Sequence, residues 1–200
     1  MKILTLVFVF LSFLLPADGQ TVIFGMDTSI SAGMSYKNPA IGGFADVRLV
    51  KGRLISINMI ELANDQKVFE PNGSTLRGRT EVGVFITPTI VVNGFGSFAQ
   101  QTNLDYTKTA VNPGVGLRKY FGKGLQAYAR YALSDATSPN KISSIGGGVE
   151  QFVPSRRRIG LYWGVFESFT TFIQPNEPDR SLHGFNVSGQ IGIWFSRSKE

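Results

Sequence analysis

Residues 125–133, Leu-Gln-Ala-Tyr-Ala-Arg-Tyr-Ala-Leu, carry the pattern that decides the fold. Side chains of a β-strand point alternately to its two faces. In an extended chain the odd-numbered positions, from Leu125 to Leu133, therefore share one largely apolar face. The even-numbered positions, including Gln126 and Arg130, share a more polar one. The stretch is typical of a strand between an apolar and a polar environment.

The same period of two recurs along the chain, punctuated by Gly, Pro and Asn, and no sustained stretch shows the helical period of 3.6. We predict an all-β fold, an antiparallel up-and-down barrel of about ten strands. Eight is the alternative if the strands of the first hairpin merge. Pro113 lacks a backbone N–H, so we expect it near the loop-side rim or at a bulge. The predicted strands are 22–36, 41–50, 53–63, 76–86, 89–101, 109–121, 124–134, 142–153, 156–168 and 183–195.

Short and long connections alternate between these strands. Pairs of turn-forming residues predict tight turns at 51–52, 87–88, 122–123 and 154–155. Longer connections are predicted at 64–75, 102–108, 135–141 and 169–182, with a shorter one at 37–40. In an up-and-down sheet this places every tight turn and both termini at one end, and every longer loop at the other.

Charged residues concentrate on one face of the predicted sheet, and the strand centres of the opposite face are almost free of charge. This distribution is typical of a transmembrane barrel, which places apolar side chains against lipid and polar ones in its lumen. A closed sheet also leaves no unpaired backbone in hydrocarbon. A secreted soluble β-barrel that binds a hydrophobic ligand is an alternative. The predicted lumen network comprises Asp27, Asp46, Arg48, Arg77, Arg79, Glu81, Arg118, Arg130 and Glu150.

The N-terminal segment predicts export. Met1-Lys2 precedes an apolar run at 3–15, Pro16 ends that run, and small residues follow at 17 and 19. This is the pattern of a signal peptide, and the run is too short to span a membrane. We therefore divide the chain into a signal peptide (1–19), a barrel (20–195) and a short polar tail (196–200).

Composition excludes several kinds of chemistry. The 200 residues contain no Cys and one His, which rules out disulfides, thiol nucleophiles, cysteine-type zinc sites and sites with two histidines. The net charge of +6 belongs to an exported chain, for which lipid and lipopolysaccharide phosphates are more accessible counter-charges than nucleic acid. We predict no enzymatic activity, and no catalytic, cofactor-binding or metal-binding residue.

Two segments, Pro113-Gly-Val-Gly-Leu-Arg-Lys-Tyr-Phe121 and Gly146-Gly-Gly-Val-Glu-Gln-Phe-Val153, resemble the small bacterial outer-membrane β-barrels. That group contains the OmpA transmembrane domain, OmpX and opacity-type surface proteins. The resemblance implies a Gram-negative outer-membrane location, with tight turns in the periplasm and long loops outside. It also implies contact with outer-membrane lipid and lipopolysaccharide, and recognition by the barrel-assembly machinery through a terminal aromatic residue. The residues Gly192-Ile-Trp-Phe195 resemble that ending, although the tail follows them.

Two polar clusters outside the lumen carry further hypotheses. Arg156, Arg157 and Arg158 follow a predicted tight turn, where they are candidates for contact with lipid phosphates or form an ordinary solvated turn. Ser181 and His183 would point the same way in an extended segment, which allows a lipid-modifying barrel enzyme as an alternative function. However, His183 has the parity of Phe185, which places it toward lipid or the membrane interface.

The predicted lumen is narrow. Interiors of eight-stranded barrels are just filled by side chains, and ten strands widen them modestly. Arginines paired with carboxylates, together with large aromatic residues, would then brace the barrel as a plug. We expect a structural, adhesive or narrow-pore role, with a lumen that is closed or barely conducting. The longer loops would carry contacts with an extracellular ligand or surface.

Overall fold

The computed structural model describes residues 19–33, 40–65, 73–102, 107–133, 141–156, 158–174 and 177–198. These residues form ten β-strands and no helix that is long and apolar enough to cross a membrane. The strands are β1 (Gly19–Gly33), β2 (Ala40–Lys51), β3 (Leu54–Asp65), β4 (Gly73–Thr87), β5 (Ile90–Thr102), β6 (Thr107–Gly122), β7 (Leu125–Ala132), β8 (Lys141–Arg156), β9 (Ile159–Gln174) and β10 (Glu177–Ser198).

Each strand pairs antiparallel with the next, and β1 pairs with β10 to close the sheet. The prediction of an up-and-down barrel with ten strands is confirmed, and the alternative of eight strands is wrong. Closure removes the unpaired edges of the sheet, so every strand has two hydrogen-bonded neighbours. The first and last strands pair from Gly19 with Ser198 to Gly33 with Gly184.

The described strands begin and end close to the predicted limits of the barrel, 20–195. Residues 1–18 of the predicted signal peptide lie outside the described residues. The barrel begins at Gly19. At the other end, the segment predicted as a polar tail stays paired with β1 as far as Ser198.

The tight turns lie close to their predicted positions and at one end of the barrel. The described turn residues are 52–53, 88–89, 123–124 and 158. Gly52, Gly122, Lys123 and Gly124 have φ values of 58°, 85°, 48° and 76°, which are left-handed and favour glycine. Lys123 adopts this conformation between two glycines. Both ends of the described chain lie at this tight-turn end, as predicted.

Two predicted boundaries are wrong. The long connection predicted at 169–182 is mostly strand, because β9 runs to Gln174 and β10 begins at Glu177. Residues 169–173, Phe-Thr-Thr-Phe-Ile, are aromatic or β-branched and favour strand. The tight turn predicted at 154–155 lies nearer the C-terminus, since β8 continues through Arg156 with a register irregularity after Pro154.

Pro113 marks the end of a ladder and not a bulge. The β6–β7 pairing stops at Gly114 and Ala132, and the Pro113 carbonyl then accepts one bond from the Leu133 N–H at 2.8 Å. In an antiparallel pair the N–H and C=O of one residue point to the same neighbour. The missing N–H of Pro113 therefore faces Leu133, where β7 ends, so the last pair of this ladder makes one hydrogen bond instead of two.

The outward face of the barrel is apolar. Large hydrophobic side chains on all ten strands are more than a third exposed, with Ile191 reaching 64%. Glu167 interrupts this face on β9, toward the loop end. The exposed apolar side chains include Phe24, Ile41, Leu62, Val82, Val92, Val115, Tyr131, Ile145, Val165 and Ile193.

Two small apolar clusters pack inside the barrel near the tight-turn end. One is centred on Trp194 and Tyr162, and the other on Ile57 and Val91. They are too small to be the core of a soluble barrel, whose inward face is dry and apolar throughout. Their buried members are Ile23, Phe44, Tyr162 and Trp194, and Ile55, Ile57 and Val91; Phe152, Val50, Phe85 and Tyr120 pack against them.

Candidate functional site: an ionic cluster inside the barrel

Glu150 on β8 is the centre of the charged interior and is only 1% exposed. Its Oε2 accepts a hydrogen bond from Arg48 Nη2 at 2.6 Å and one from the Tyr162 hydroxyl at 2.8 Å. Its Oε1 pairs with Arg118 Nη1. Arg48 also donates from Nε and Nη2 to Asp46 Oδ2, at 3.1 and 2.8 Å. Two guanidinium groups thus compensate this buried carboxylate.

Glu81 on β4 is a second centre, also 1% exposed. Arg118 links it to Glu150, since Arg118 Nη2 lies 3.3 Å from Glu81 Oε2. Arg79 Nε lies 2.7 Å from Glu81 Oε1, without the angle of a directed hydrogen bond. Arg130 Nη1 approaches the same oxygen at 3.4 Å. These contacts join strands on opposite sides of the interior into one network, which we call the ionic cluster: Asp46, Arg48, Arg79, Glu81, Arg118, Arg130 and Glu150.

Uncharged polar side chains complete the bonding of the ionic cluster. Asn93 donates from Nδ2 to Glu81 Oε2 at 2.8 Å, and Gln126 accepts from Arg118 Nη1 at 3.1 Å. Buried charges are expensive unless they are both paired and hydrogen-bonded. The ionic cluster meets this requirement for its two central carboxylates.

Aromatic rings cover the faces of the guanidinium groups. The Arg130 guanidinium carbon lies 4.1 Å from the centre of the Tyr128 ring, and that of Arg118 lies 4.9 Å from the same centre. Arg48 lies 4.9 Å from the centre of the Phe152 ring. A cation over an aromatic face gains more when water is excluded. The rings therefore both fill the interior and stabilise the arginines.

The ionic cluster blocks the interior. Arg118, Glu81, Glu150 and Tyr162 are each 2% exposed or less. A water-filled passage beside these side chains would leave them accessible to solvent, and they are not. The apolar clusters close the interior further toward the tight turns.

A cavity of about 300 Å³ lies on the loop side of the ionic cluster. Its lining includes Arg79 and Arg130, the ring of Phe95, and small polar residues such as Ser97 and Ser188. The interior is therefore divided into a filled half at the tight turns and a polar hollow at the loops. The cavity ends at the ionic cluster and does not pass through it.

The structure brings together seven of the nine residues predicted for the lumen network, those of the ionic cluster. Arg77 forms a separate pair at the loop side, with its Nη1 2.9 Å from Glu61 Oε1. Asp27 stands opposite Gln190 and Gly42 in the ladder, and its side chain lies outside the described part.

The predicted lumen network left out three residues that belong to this interior, although Gln126 was placed on the polar face of its strand. Glu61 lies on the inward face of β3, but Ile55, Ile57 and Met59 on the same face are apolar, so alternation did not single it out. Asn93 and Gln126 are uncharged, and a search for charges passes over them. The signal available in the sequence was parity: Asn93 shares a strand face with Phe95, and Gln126 shares one with Tyr128.

The predicted sites outside the lumen are only partly described. Arg158 is exposed in the β8–β9 turn, and its carbonyl accepts the Ser196 N–H at 2.9 Å. Arg157 and the side chain of Arg156 lie outside the described residues. His183 is exposed on the outward face of β10, as its parity predicted, and stacks on Phe169 with 5.3 Å between ring centres.

The hydroxyl described beside the His183 imidazole is that of Thr171, with Oγ1 3.3 Å from Nδ1. The backbone at Ser181 pairs with Ile173, two positions from this contact, and the Ser181 side chain is not described. Within the described ranges, no group of three or more acidic or histidine side chains is placed to hold a metal ion.

The fold and this interior define a class of protein: a closed ten-stranded barrel with an apolar exterior and an ionic interior. No protein-family model matches the sequence, and no curated protein matches it. Among solved structures, the translocator domain of the autotransporter NalP from Neisseria meningitidis is 11% identical, with a TM-score of 0.49. The match covers 97% of this chain and 94% of that domain.

Two further solved structures are similar at lower scores. The outer membrane protein OprG from Pseudomonas aeruginosa is 9% identical with a TM-score of 0.39, over 92% of this chain and 97% of OprG. Ail, the attachment invasion locus protein of Yersinia pestis, is 9% identical with a TM-score of 0.33, over 91% of this chain and all of Ail. These similarities carry no information about activity.

Proposed function

We propose that the protein is a bacterial outer-membrane β-barrel whose lumen is closed by its own side chains. It is a non-enzymatic scaffold that holds the longer loops at the cell surface for structural or adhesive contacts. The finer resemblance to the OmpA transmembrane domain, OmpX and opacity-type proteins belongs to this proposal. So do export through the signal peptide at 1–19, recognition by the barrel-assembly machinery and contact with lipopolysaccharide.

One observation carries the proposal: the exterior is apolar and the interior is ionic. In water this arrangement would expose hydrophobic side chains around the whole barrel, without an apolar interior to compensate. In a bilayer the same side chains contact acyl chains, and the closed ladder satisfies the backbone. The alternative of a soluble carrier for a hydrophobic ligand requires an apolar interior, whereas Glu81, Arg118 and Glu150 fill this one.

The outer-membrane location is tested by fractionation and by electrophoresis. We expect the full chain, expressed with its own N-terminus in a Gram-negative host, to sediment with the outer membrane and to require detergent for release. Unheated extract should migrate as a compact band, and boiled extract should migrate more slowly as the barrel unfolds. Release into the periplasm or medium without detergent would contradict the proposal. A soluble periplasmic protein expressed in parallel is the control.

A further inference from the structure

The charged residues described at the tight-turn end of the barrel are all basic. Its described charged residues come from three of the four tight turns, from the end of β6 and from the end of β10, and no acidic residue stands among them. All are exposed except Lys119, which is half-buried. We call this set the basic rim: Lys51, Arg53, Lys119, Lys123, Arg158 and Arg197.

Charge elsewhere in the protein is balanced. The arginines of the interior face carboxylates such as Glu61, Glu81 and Glu150. The sequences of the opposite connections mix both signs, as with Lys67 and Glu70 between β3 and β4. The net charge of +6 is therefore concentrated at the tight turns. A one-sign surface of this kind attracts a polyanionic partner.

The basic rim borders the apolar exterior directly. Exposed hydrophobic side chains reach the same turns, namely Leu54, Ile86, Phe121 and Phe195. Lys119 has the outward parity of Leu117 and Phe121, and its Nζ donates to Thr89 Oγ1 at 2.8 Å, toward the turn. A lysine that extends its amine from an apolar surface toward the polar boundary is typical of a membrane interface. The cations thus lie where the hydrocarbon of one leaflet would give way to headgroups.

From this placement we propose that the basic rim binds the phosphate groups of anionic phospholipids in the leaflet at the tight-turn end. The inference rests on the proposed function, which puts the apolar exterior in a bilayer. Lysine and arginine form charge-assisted hydrogen bonds with phosphate oxygens, and basic residues beside a membrane are attracted to anionic lipid. The lipids would fix the height and direction of the barrel in the membrane, since the opposite end lacks such a rim in its described residues.

Lipid selectivity at the barrel surface tests the proposal. The full chain is reconstituted in phosphatidylcholine vesicles that contain a trace of spin-labelled phosphatidylglycerol or spin-labelled phosphatidylcholine. Electron paramagnetic resonance then gives the motionally restricted fraction of each label. We expect phosphatidylglycerol to associate about twofold or more strongly, and the preference to disappear near 1 M NaCl, where the Debye length is about 3 Å.

A pair of double variants assigns the preference to the rim. Arg53→Gln with Lys123→Asn removes two rim cations, and Asn tolerates the left-handed backbone at 123. Lys67→Gln with Lys108→Gln removes two cations from the other end by sequence. We expect the first pair to lose about a third of the selectivity, because it removes two of six rim cations that add comparable attractions, and the second pair to keep it.

The outcomes separate this proposal from the proposed function. Compact electrophoretic bands in all vesicles show that the barrel has inserted, whatever its lipid preference. Insertion without a preference for phosphatidylglycerol, or an equal loss in both double variants, would overturn the lipid site alone. Salt-sensitive binding of soluble polyglutamate by the rim, with no lipid preference, would also overturn it in favour of an acidic polypeptide. Failure to insert would refute the proposed function first.

Discussion

Glu150 and Glu81 each lie among several guanidinium groups inside the barrel, and neither has access to water. Each of these carboxylates is therefore more important for the stability of the folded barrel than any single arginine. Each arginine of the pairs has one or two carboxylate partners, whereas Glu81 contacts three arginines and Glu150 contacts two, Arg48 and Arg118. Loss of one acid therefore leaves two buried cations with reduced compensation, and loss of one partner from a buried ion pair is strongly destabilising.

We predict that Glu150→Gln lowers the free energy of unfolding by about 3–5 kcal/mol, because it removes the charge and keeps the shape of the side chain. Urea titration of the detergent-solubilised barrel, followed by tryptophan fluorescence, measures the change. Glu167→Gln on the outward face of β9 is the matched control and should change stability by about 0.5 kcal/mol or less. Equal stabilities of the two variants would show that the ionic cluster does not hold the barrel together.

Tyr162 contributes a neutral hydrogen-bond donor to the same buried carboxylate. Its hydroxyl donates to Glu150 at 2.8 Å and lies 3.2 Å from Gln190 Oε1, so Tyr162→Phe removes a bond to a buried charge. We expect a loss of about 1.5–3 kcal/mol in the same titration. Tyr131→Phe is the control, because Tyr131 is 44% exposed on the outward face. A larger loss from Tyr131→Phe than from Tyr162→Phe would contradict the assigned roles.

Alternation predicted the direction of single residues well wherever the two faces differ chemically. It placed His183 outward and Arg118 and Tyr162 inward, and the structure agrees. It overlooked Glu61, because the other inward residues of β3 are apolar and the outward face near the turn is the more polar one. The pairing of particular charges could not be predicted at all, since Arg48 and Glu150 are 102 residues apart and meet only when the sheet closes.

At the scale of the strand, aromatic rings lie against glycines of neighbouring strands. An added Cβ at Gly160 would lie 2.1 Å from the Val153 carbonyl oxygen and 2.7 Å from Trp194 Nε1. At Gly114 an added Cβ would meet the Phe95 ring at 2.3 Å. Glycine in a strand is unfavourable unless something packs closely over it. These positions let inward rings lie flat against the sheet and fill the narrow interior.

We predict that Gly160→Ala destabilises the barrel by about 1–3 kcal/mol, since the carbonyl contact is with backbone and cannot move aside cheaply. Gly96→Ala, on the outward face of β5, is the matched control: nothing lies within 4 Å of its added Cβ. The temperature at which the compact electrophoretic band disappears measures the stability of both variants. If the compact bands of the Gly160→Ala and Gly96→Ala variants disappear at the same temperature, the close packing of Trp194 on β9 does not contribute to stability.

Strand ends were harder to predict than strands, and two cases show why. Residues 169–173 satisfy strand propensity, but the charges and prolines that follow them suggested a longer loop. Pro113 lacks a donor, and only the shortness of β7 places the missing bond at the end of a ladder. In both cases the end of one strand depends on the length of its neighbour, which a single sequence window does not contain.

Closure of the ten-stranded sheet creates an interior whose two halves, one near the tight turns and one near the loops, differ in their side chains. Apolar and ionic side chains fill the half nearest the tight turns, and a polar cavity occupies the half nearest the loops. Among the described residues, the cavity on the loop side reaches only as far as the ionic cluster. This arrangement favours a closed barrel over a pore, and the blockage depends on a few side chains.

We therefore predict that the purified protein gives no stable channels in planar bilayers, and that removing the blockage creates them. Arg118→Ala with Glu150→Ala deletes one cation and one anion from the most buried part of the interior, so the net charge is unchanged. Because both side chains are buried in the middle of the lumen, their loss should open a water-filled path with measurable conductance. Arg77→Ala with Glu61→Ala is an equally balanced deletion at the loop side, outside the blockage, and should remain silent. Large channels from the unmodified chain would refute the closed lumen, and conductance from the Arg77 and Glu61 pair alone would place the blockage elsewhere.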